Sequence, residues 1–145
     1  MTAAPYRLST DHAEMQVDAI HAFLGTSYWA AGIPRETVAR AVANSLCVGA
    51  FHGETQIGFA HVVSDRATFA YLADVYVLEA HCGRGLARAM VRQLQDHPDL
   101  QGLRRWLLFT RDAHTVYAPL GWTPLDDPAK VMQRHFPDVY GGVAS

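Results

Sequence analysis

The sequence has little of what several protein classes require. It has only two cysteines, Cys47 and Cys82, and neither they nor the eight histidines follow a metal-ligand spacing such as H-x3-H or HExxH. We therefore expect reduced thiols, a cytoplasmic location and no bound metal. The formal net charge of −2 lacks the basic excess of a nucleic-acid binder, so no nucleic-acid partner is expected.

Long apolar runs are also missing. No stretch approaches the roughly 20 residues that span a bilayer. The first residues, MTAAPYRLSTDHAEM, lack the apolar core of a signal peptide, so we expect no membrane partner. What is present is typical of one globular domain with a substantial core: 145 residues, 50% of them hydrophobic and 18% charged.

Apolar periodicity predicts a mixed α/β domain built on one sheet, in the order β-α-α-β-β-β-α-β-α-β. Helices are expected at about Ala13–Leu24, Pro34–Ser45, from the glycines near position 85 to Gln95, and within Arg111–Gly121. Strands are expected at about Tyr6–Ser9, Leu46–His52, Thr55–Val63, Thr68–Val77, Arg104–Thr110 and Gly121–Leu125. A β-loop-α unit therefore lies past the middle of the chain, at the glycines.

The run HCGRGLARAMV, His81 to Val91, indicates a phosphate cradle at a helix N-terminus. Two glycines, Gly83 and Gly85, follow a β-rich run and precede apolar residues at helical spacing. The dinucleotide pattern G-x-G-x-x-G/A needs a small residue where this chain has Arg88, and the triphosphate pattern G-x-x-x-x-G-K-[ST] is absent. A glycine-rich helix start without a ligand is the alternative.

From position 82 the run x-G-R-G-L-A resembles the acyl-CoA-binding signature Q/R-x-x-G-x-G/A of the GNAT superfamily of N-acetyltransferases. Gly85 and Ala87 match its small positions, whereas Cys82 replaces the usual Gln or Arg. The preceding DVYV, residues 74–77, matches the family's D-φ-x-V strand, where φ is apolar. Its valine, Val77, lies eight residues before Gly85, as in the family.

A second family element, N-x-x-A-x-x-x-Y-x-x-x-G-F, resembles TRDAHTVYAPLGW, residues 110–122. Ala113, Tyr117 and Gly121 match, while Thr110 replaces the asparagine and Trp122 the phenylalanine. The stretches SYWAAGIPRETV, DRATFAYLADVYV and TRDAHTVY are similar to a bacterial GNAT subfamily. The resemblance covers nearly the whole chain.

The resemblance implies one acyl-CoA-binding domain over residues 1–145, with a mostly antiparallel sheet flanked by helices. It implies acetyl-CoA or CoA as co-substrate and a small-molecule or peptide amine as acceptor, which attacks directly in a ternary complex. The residues implied to hold the coenzyme are Val75, Tyr76, Val77, Gly83, Arg84, Gly85, Leu86, Ala87, Arg88 and Thr110.

The resemblance also suggests catalytic roles. Tyr117 stands at the family's tyrosine position and is expected to donate a proton or a hydrogen bond to the leaving sulfur, with a core aromatic on a short helix as its alternative. Asp74 is the candidate general base, directly or through a water, and a structural carboxylate is its alternative. His114 is a competing base, with an exposed helix histidine as the alternative. Tyr28, Trp29 and Tyr71 are expected to wall the acceptor site, although the first two are equally compatible with buried loop anchors.

Two other functions stay open. A non-catalytic CoA-binding or regulatory domain on the same fold is suggested by Cys82, and Tyr117 with Asp74 favours the enzyme instead. A nucleotide-dependent oxidoreductase is disfavoured by Arg88. The sequence leaves the acceptor and the oligomeric state, monomer or homodimer, undetermined.

Overall fold

The computed structural model describes residues 5–141, in which five strands form one sheet in the order β1-β2-β3-β4-β5. The strands are β1 Tyr6–Ser9, β2 Leu46–His52, β3 Thr55–Ser64, β4 Phe69–Val77 and β5 Arg105–Leu107. Strands β1 to β4 are antiparallel neighbours, and β5 runs parallel to β4. The expected α/β class and mixed, mostly antiparallel sheet are confirmed.

Helices cover both faces of this sheet. They are α1 Val17–Leu24, α2 Arg35–Ala43, α3 Leu86–Gln95 and the single turn α4 His114–Tyr117. One hydrophobic cluster joins α3 to the sheet, and a second joins α1 and α2 to it. Because both faces are covered, β2 and β3 are buried almost without interruption rather than at alternate positions. None of the helices within residues 5–141 is long and apolar enough to cross a membrane.

A slot opens between β4 and β5. The two strands pair only where Phe69–Tyr71 meets Arg105–Leu107, and β5 is therefore shorter than the Arg104–Thr110 expected from the sequence. Beyond this short pairing the strands separate, so the second half of β4 has β3 on one side and the slot on the other. The slot leads towards the N-terminus of α3.

The first helix begins later than the sequence predicts. His12–Glu14 forms a 3-10 turn, capped by the Asp11 carboxylate that accepts from the Ala13 amide at 2.9 Å, and α1 begins only at Val17. The reason is tertiary. The Gln16 amide donates to Gln56 Oε1 and the Gln56 amide donates to Gln16 Oε1, which ties this segment to β3 instead of to a helix.

The prediction of a last strand from Gly121 to Leu125 is wrong. Between Gly121 and Gly141 the structure contains only irregular backbone, turns and a 3-10 turn at Pro128–Lys130. Pro124 and Pro128 lack the amide proton that a sheet ladder needs, which explains the failure of this segment to pair. The outer edge of β5 consequently has no strand partner within the described residues.

Candidate active site

The glycine loop presents a row of free backbone amides. Gly83 (φ 80°) and Gly85 (φ 74°) are both left-handed, and a Cβ on either would meet no atom within 4 Å. Within residues 5–141, the amides from Gly83 to Arg88 have no hydrogen-bond partner, and the first bond of this turn runs from the Ala89 amide to the Gly85 carbonyl. Free amides at the positive end of α3 fit the pyrophosphate of a coenzyme.

Some side chains of the loop line a cavity beside it, and Arg84 lies away from that cavity. A cavity of about 290 Å³ beside it is lined by Val77, His81, Cys82, Gly83, Gly85, Leu86, Ala87, Arg88 and Val116. Arg84 instead lies over the ring of Tyr6, with 5.1 Å between its guanidinium carbon and the ring centre. The thiol of Cys82 points back to the carbonyls of Val77 and Leu78, at 3.5 Å each.

A second cleft, of about 430 Å³, occupies the slot between β4 and the segment after β5. It brings together seven of the site residues that the sequence predicts, namely Tyr28, Trp29, Tyr71, Asp74, Val75, Thr110 and Tyr117. The ring of Tyr76 is instead buried and stacks on Phe23 at 4.0 Å. Arg111 and Asp112, which the sequence analysis did not single out, also line it.

Asp74 reaches this cleft because of a β-bulge. The register of β3 against β4 passes from Phe59–Tyr76 to His61–Ala73, so Asp74 and Val75 together oppose the single residue Ala60. Asp74 has φ 54°, a left-handed conformation that aspartate tolerates better than most residues. Strained backbone of this kind is concentrated at functional sites.

Two donors hold the Asp74 carboxylate. The indole Nε1 of Trp29 donates to Oδ1 at 2.7 Å, and Nε2 of His61 lies 2.7 Å from Oδ2. Burial raises the pKa of Asp74, but the hydrogen bond and charge of His61 and the Trp29 bond outweigh it, so the net pKa is lowered. Asp74 is therefore ionised at neutral pH, and its side chain is 22% exposed.

Tyr117 lies across the cleft on α4. Burial raises its pKa, with a smaller contribution from Tyr28, so the phenol keeps its proton at neutral pH. The hydroxyl makes no hydrogen bond to any residue of 5–141, and no fully buried side-chain donor or acceptor in that range lacks a partner. The hydroxyl is thus open to the cleft.

The remaining candidates fall in different places. The Thr110 hydroxyl accepts from the Ala113 amide at 3.0 Å and so closes the turn that precedes α4. Tyr28 and Trp29 are 57% and 43% exposed, which places them on the wall of the cleft rather than in the core. His114 is exposed and does not line the cleft that contains Asp74; it lines an adjoining apolar groove beside β5, which shares Thr110 and Tyr117 with that cleft.

His61 is the residue that sequence reasoning missed. It lies within the apolar strand TQIGFAHVVS, and its pairing with Asp74 depends on strand register and on the bulge. A buried histidine inside an apolar strand is the only local signal. No group of three or more His, Cys, Asp or Glu side chains among residues 5–141 is arranged to hold a metal ion.

Comparisons with known proteins identify the family of this chain. Residues 13–122 match the model of the acetyltransferase (GNAT) family. A Gibberella zeae protein named as an acetyltransferase, FG08082, is 36% identical, with 77% of this chain and 75% of that protein covered.

Solved structures give the same result. The crystal structure of a GNAT-family protein from Xanthomonas campestris pv. campestris has a TM-score of 0.90 and 45% identity, covering 96% of this chain and 99% of that one. A Clostridium acetobutylicum protein solved with acetyl-CoA shares the fold, with a TM-score of 0.64, 16% identity, and coverage of 90% and 95%. The chain therefore belongs to the GNAT family of acetyltransferases.

Proposed function

We propose that this protein transfers the acetyl group of acetyl-CoA to an amine by direct attack in a ternary complex. The observation that carries the proposal is an arrangement in sequence along β4: a carboxylate and a phenol in the slot between β4 and β5, then, past the end of β4, the loop cavity and the free amides at the head of α3. A reacting carbonyl, an extended thioester arm and a pyrophosphate need these features in this order.

The coenzyme would be held mainly by backbone. The pyrophosphate accepts from the amides of Gly83 to Arg88 and meets the positive end of the helix dipole. Arg88 lines the loop cavity and adds charge, whereas Arg84 has to leave the ring of Tyr6 to contribute. The backbone of Val75 to Val77, on the slot side of β4, pairs with the amides of the pantetheine arm.

In the reaction, the neutral amine attacks the thioester carbonyl carbon, a C–N bond forms, and the C–S bond breaks. The amine proton passes to Asp74 through a water, and the departing thiolate takes a proton or a hydrogen bond from Tyr117. Its raised pKa keeps Tyr117 protonated until the sulfur leaves. The lowered pKa of Asp74 makes it a modest base, so its larger contribution is to orient the amine.

The acceptor would enter beside aromatic side chains. Tyr28 and Trp29 from the α1–α2 loop and Tyr71 from β4 surround the ionised Asp74 carboxylate. The ionised carboxylate favours an amine over an acidic acceptor, and Arg111, whose guanidinium carbon lies 3.9 Å from the Tyr28 ring centre, already covers one face of that ring. Small-molecule amines and peptide amines both satisfy this chemistry.

A non-catalytic CoA-binding domain is the second candidate, because the Cys82 side chain bonds its own turn and offers nothing to a phosphate. The test is incubation with acetyl-CoA and a panel of primary amines, amino acids and peptides, with detection of free thiol and of acetylated product by mass. Acetylated product above the amine-free control supports the enzyme. Tight CoA binding with no product from any class of amine supports the binding domain, and absence of CoA binding refutes both.

A further inference from the structure

A chain of hydrogen bonds connects the end of α2 to the cleft. The Ser45 hydroxyl donates to the Ala41 carbonyl at 2.7 Å and lies 2.8 Å from Nδ1 of His61. Nε2 of His61 lies 2.7 Å from Asp74 Oδ2, and Trp29 donates to the other oxygen of the same carboxylate. Ser45 and the His61 side chain are buried, with 7% and 6% of their surface exposed, so water competes little with these bonds.

The available donors and acceptors determine where the protons lie along these hydrogen bonds. Ser45 has one hydroxyl proton, and the Ala41 carbonyl, which is only an acceptor and lies at 2.7 Å, takes it in preference to the Cys47 thiol at 3.6 Å. Ser45 Oγ must then accept from His61, which requires a proton on Nδ1. The ionised Asp74 carboxylate is also only an acceptor, which requires a proton on Nε2. The hydrogen-bond count therefore calls for a proton on each ring nitrogen.

We infer that His61 is a doubly protonated positioning residue that fixes the Asp74 carboxylate at the acceptor site. The inference deepens the proposed function and rests on it for the identity of that site. His61 itself cannot act as the base, because both of its nitrogens are committed and its ring does not line the cleft. The opposite charge of His61, close to Asp74, stabilises the partly buried anion.

The positioning leaves Asp74 free to bind substrate. Each carboxylate oxygen has two lone pairs, and Trp29 and His61 use one on each oxygen. One acceptor site per oxygen remains for the amine or for the water that relays its proton. The bulge fixes the backbone of Asp74, and two donors fix its carboxylate. The remaining lone pairs therefore point in a fixed direction, and an amine or water that binds them has a defined position in the cleft.

The first test needs neither acceptor nor coenzyme. Long-range proton–nitrogen correlation spectra of the full chain distinguish an imidazolium from either neutral tautomer, and His61→Gln assigns the signal. At neutral pH, His61 should have two protonated nitrogens and two slowly exchanging ring N–H protons. In Asp74→Asn the ring should become neutral. A single protonated nitrogen on His61 in the wild-type protein overturns the inference, whatever the enzyme activity proves to be.

The second test separates positioning from packing, once an acceptor is known. His61→Phe keeps a buried ring but removes both donors, while His61→Gln keeps an amide that can donate to Asp74. We expect kcat/KM for the acceptor to fall about tenfold or more in the Phe variant and to recover in the Gln variant, with CoA affinity unchanged in both. Ser45→Ala is the matched control, because it removes only the Nδ1 partner and should change kcat/KM less. A folded Phe variant with wild-type acceptor kinetics refutes the role.

Discussion

Replacement of Gly85 by alanine isolates the contribution of the loop, because the chain offers a matched control. Gly85 and Gly102 have nearly the same left-handed backbone, φ 74° and 75°, and a Cβ on either would meet no protein atom within 4 Å. Gly102 lies near the C-terminal end of α3, beside Gln95, whereas Gly85 caps its N-terminus. The ten residues of α3 separate the two ends by about 15 Å.

Both alanine variants should lose similar stability. An L-residue in the left-handed region costs about 1–2 kcal/mol, which lowers the Tm of a domain of this size by about 2–8 °C. Only Gly85→Ala adds a methyl group to the loop that carries the free amides. Loss of one charge-assisted hydrogen bond to phosphate costs about 1.5–3 kcal/mol, so the Kd for CoA should rise about 10- to 150-fold.

The assay is calorimetric titration with CoA beside thermal unfolding of the same preparations. Gly102→Ala should bind CoA like the wild type despite its lower Tm. Equal loss of CoA affinity in the two variants would attribute the effect to general destabilisation. Unchanged affinity in Gly85→Ala would mean that the loop is not the phosphate cradle.

Three further predictions use other parts of the site. Tyr117→Phe should lower kcat about 10²- to 10⁴-fold with little change in CoA affinity, and wild-type turnover in a folded variant would remove Tyr117 from the mechanism. Cys82→Arg should tighten CoA binding or leave it unchanged, since the thiol now contacts only its own turn, and a large loss measured by calorimetry would contradict the placement of the loop. Because the pKa of Asp74 is lowered on folding, its stabilising contribution is present above about pH 4 and is lost as the pH falls through the lower folded value. The gap in unfolding free energy between wild type and Asp74→Asn, measured in urea, should therefore shrink below about pH 4, and a gap that widens there would contradict this assignment.

The sequence predicts the loop well because its determinants are local. Two glycines before a helical apolar pattern predict a loop and a helix start; in the structure Gly83 and Gly85 are left-handed, and α3 follows directly. The element that carries each residue also follows from local pattern, because Asp74 lies on the strand that leads into the loop and Tyr117 on the helix after the next strand.

Two features that the sequence does not predict, the bulge at Asp74 and the late start of α1, depend on tertiary contacts. The bulge that turns Asp74 towards His61 is a property of the β3–β4 register, and the residues next to Asp74 in the sequence do not predict it. The mutual bonds of Gln16 and Gln56, which link positions 40 apart, delay the start of α1. The wrong prediction of a last strand has a local cause instead. The expected strand, Gly121–Leu125, contains Pro124, which has no amide proton for the hydrogen bonds of a sheet.

Amide chemical-shift mapping during titration with acetyl-CoA tests the central claim most directly. The claim is that the coenzyme lies along the second half of β4 with its pyrophosphate on the loop. The largest shifts should fall on Gly83–Arg88 and Val75–Val77 and should saturate together at one Kd. Saturable shifts confined to the apolar groove beside β5, between Trp106 and Pro128, with the loop amides unmoved, would contradict the account.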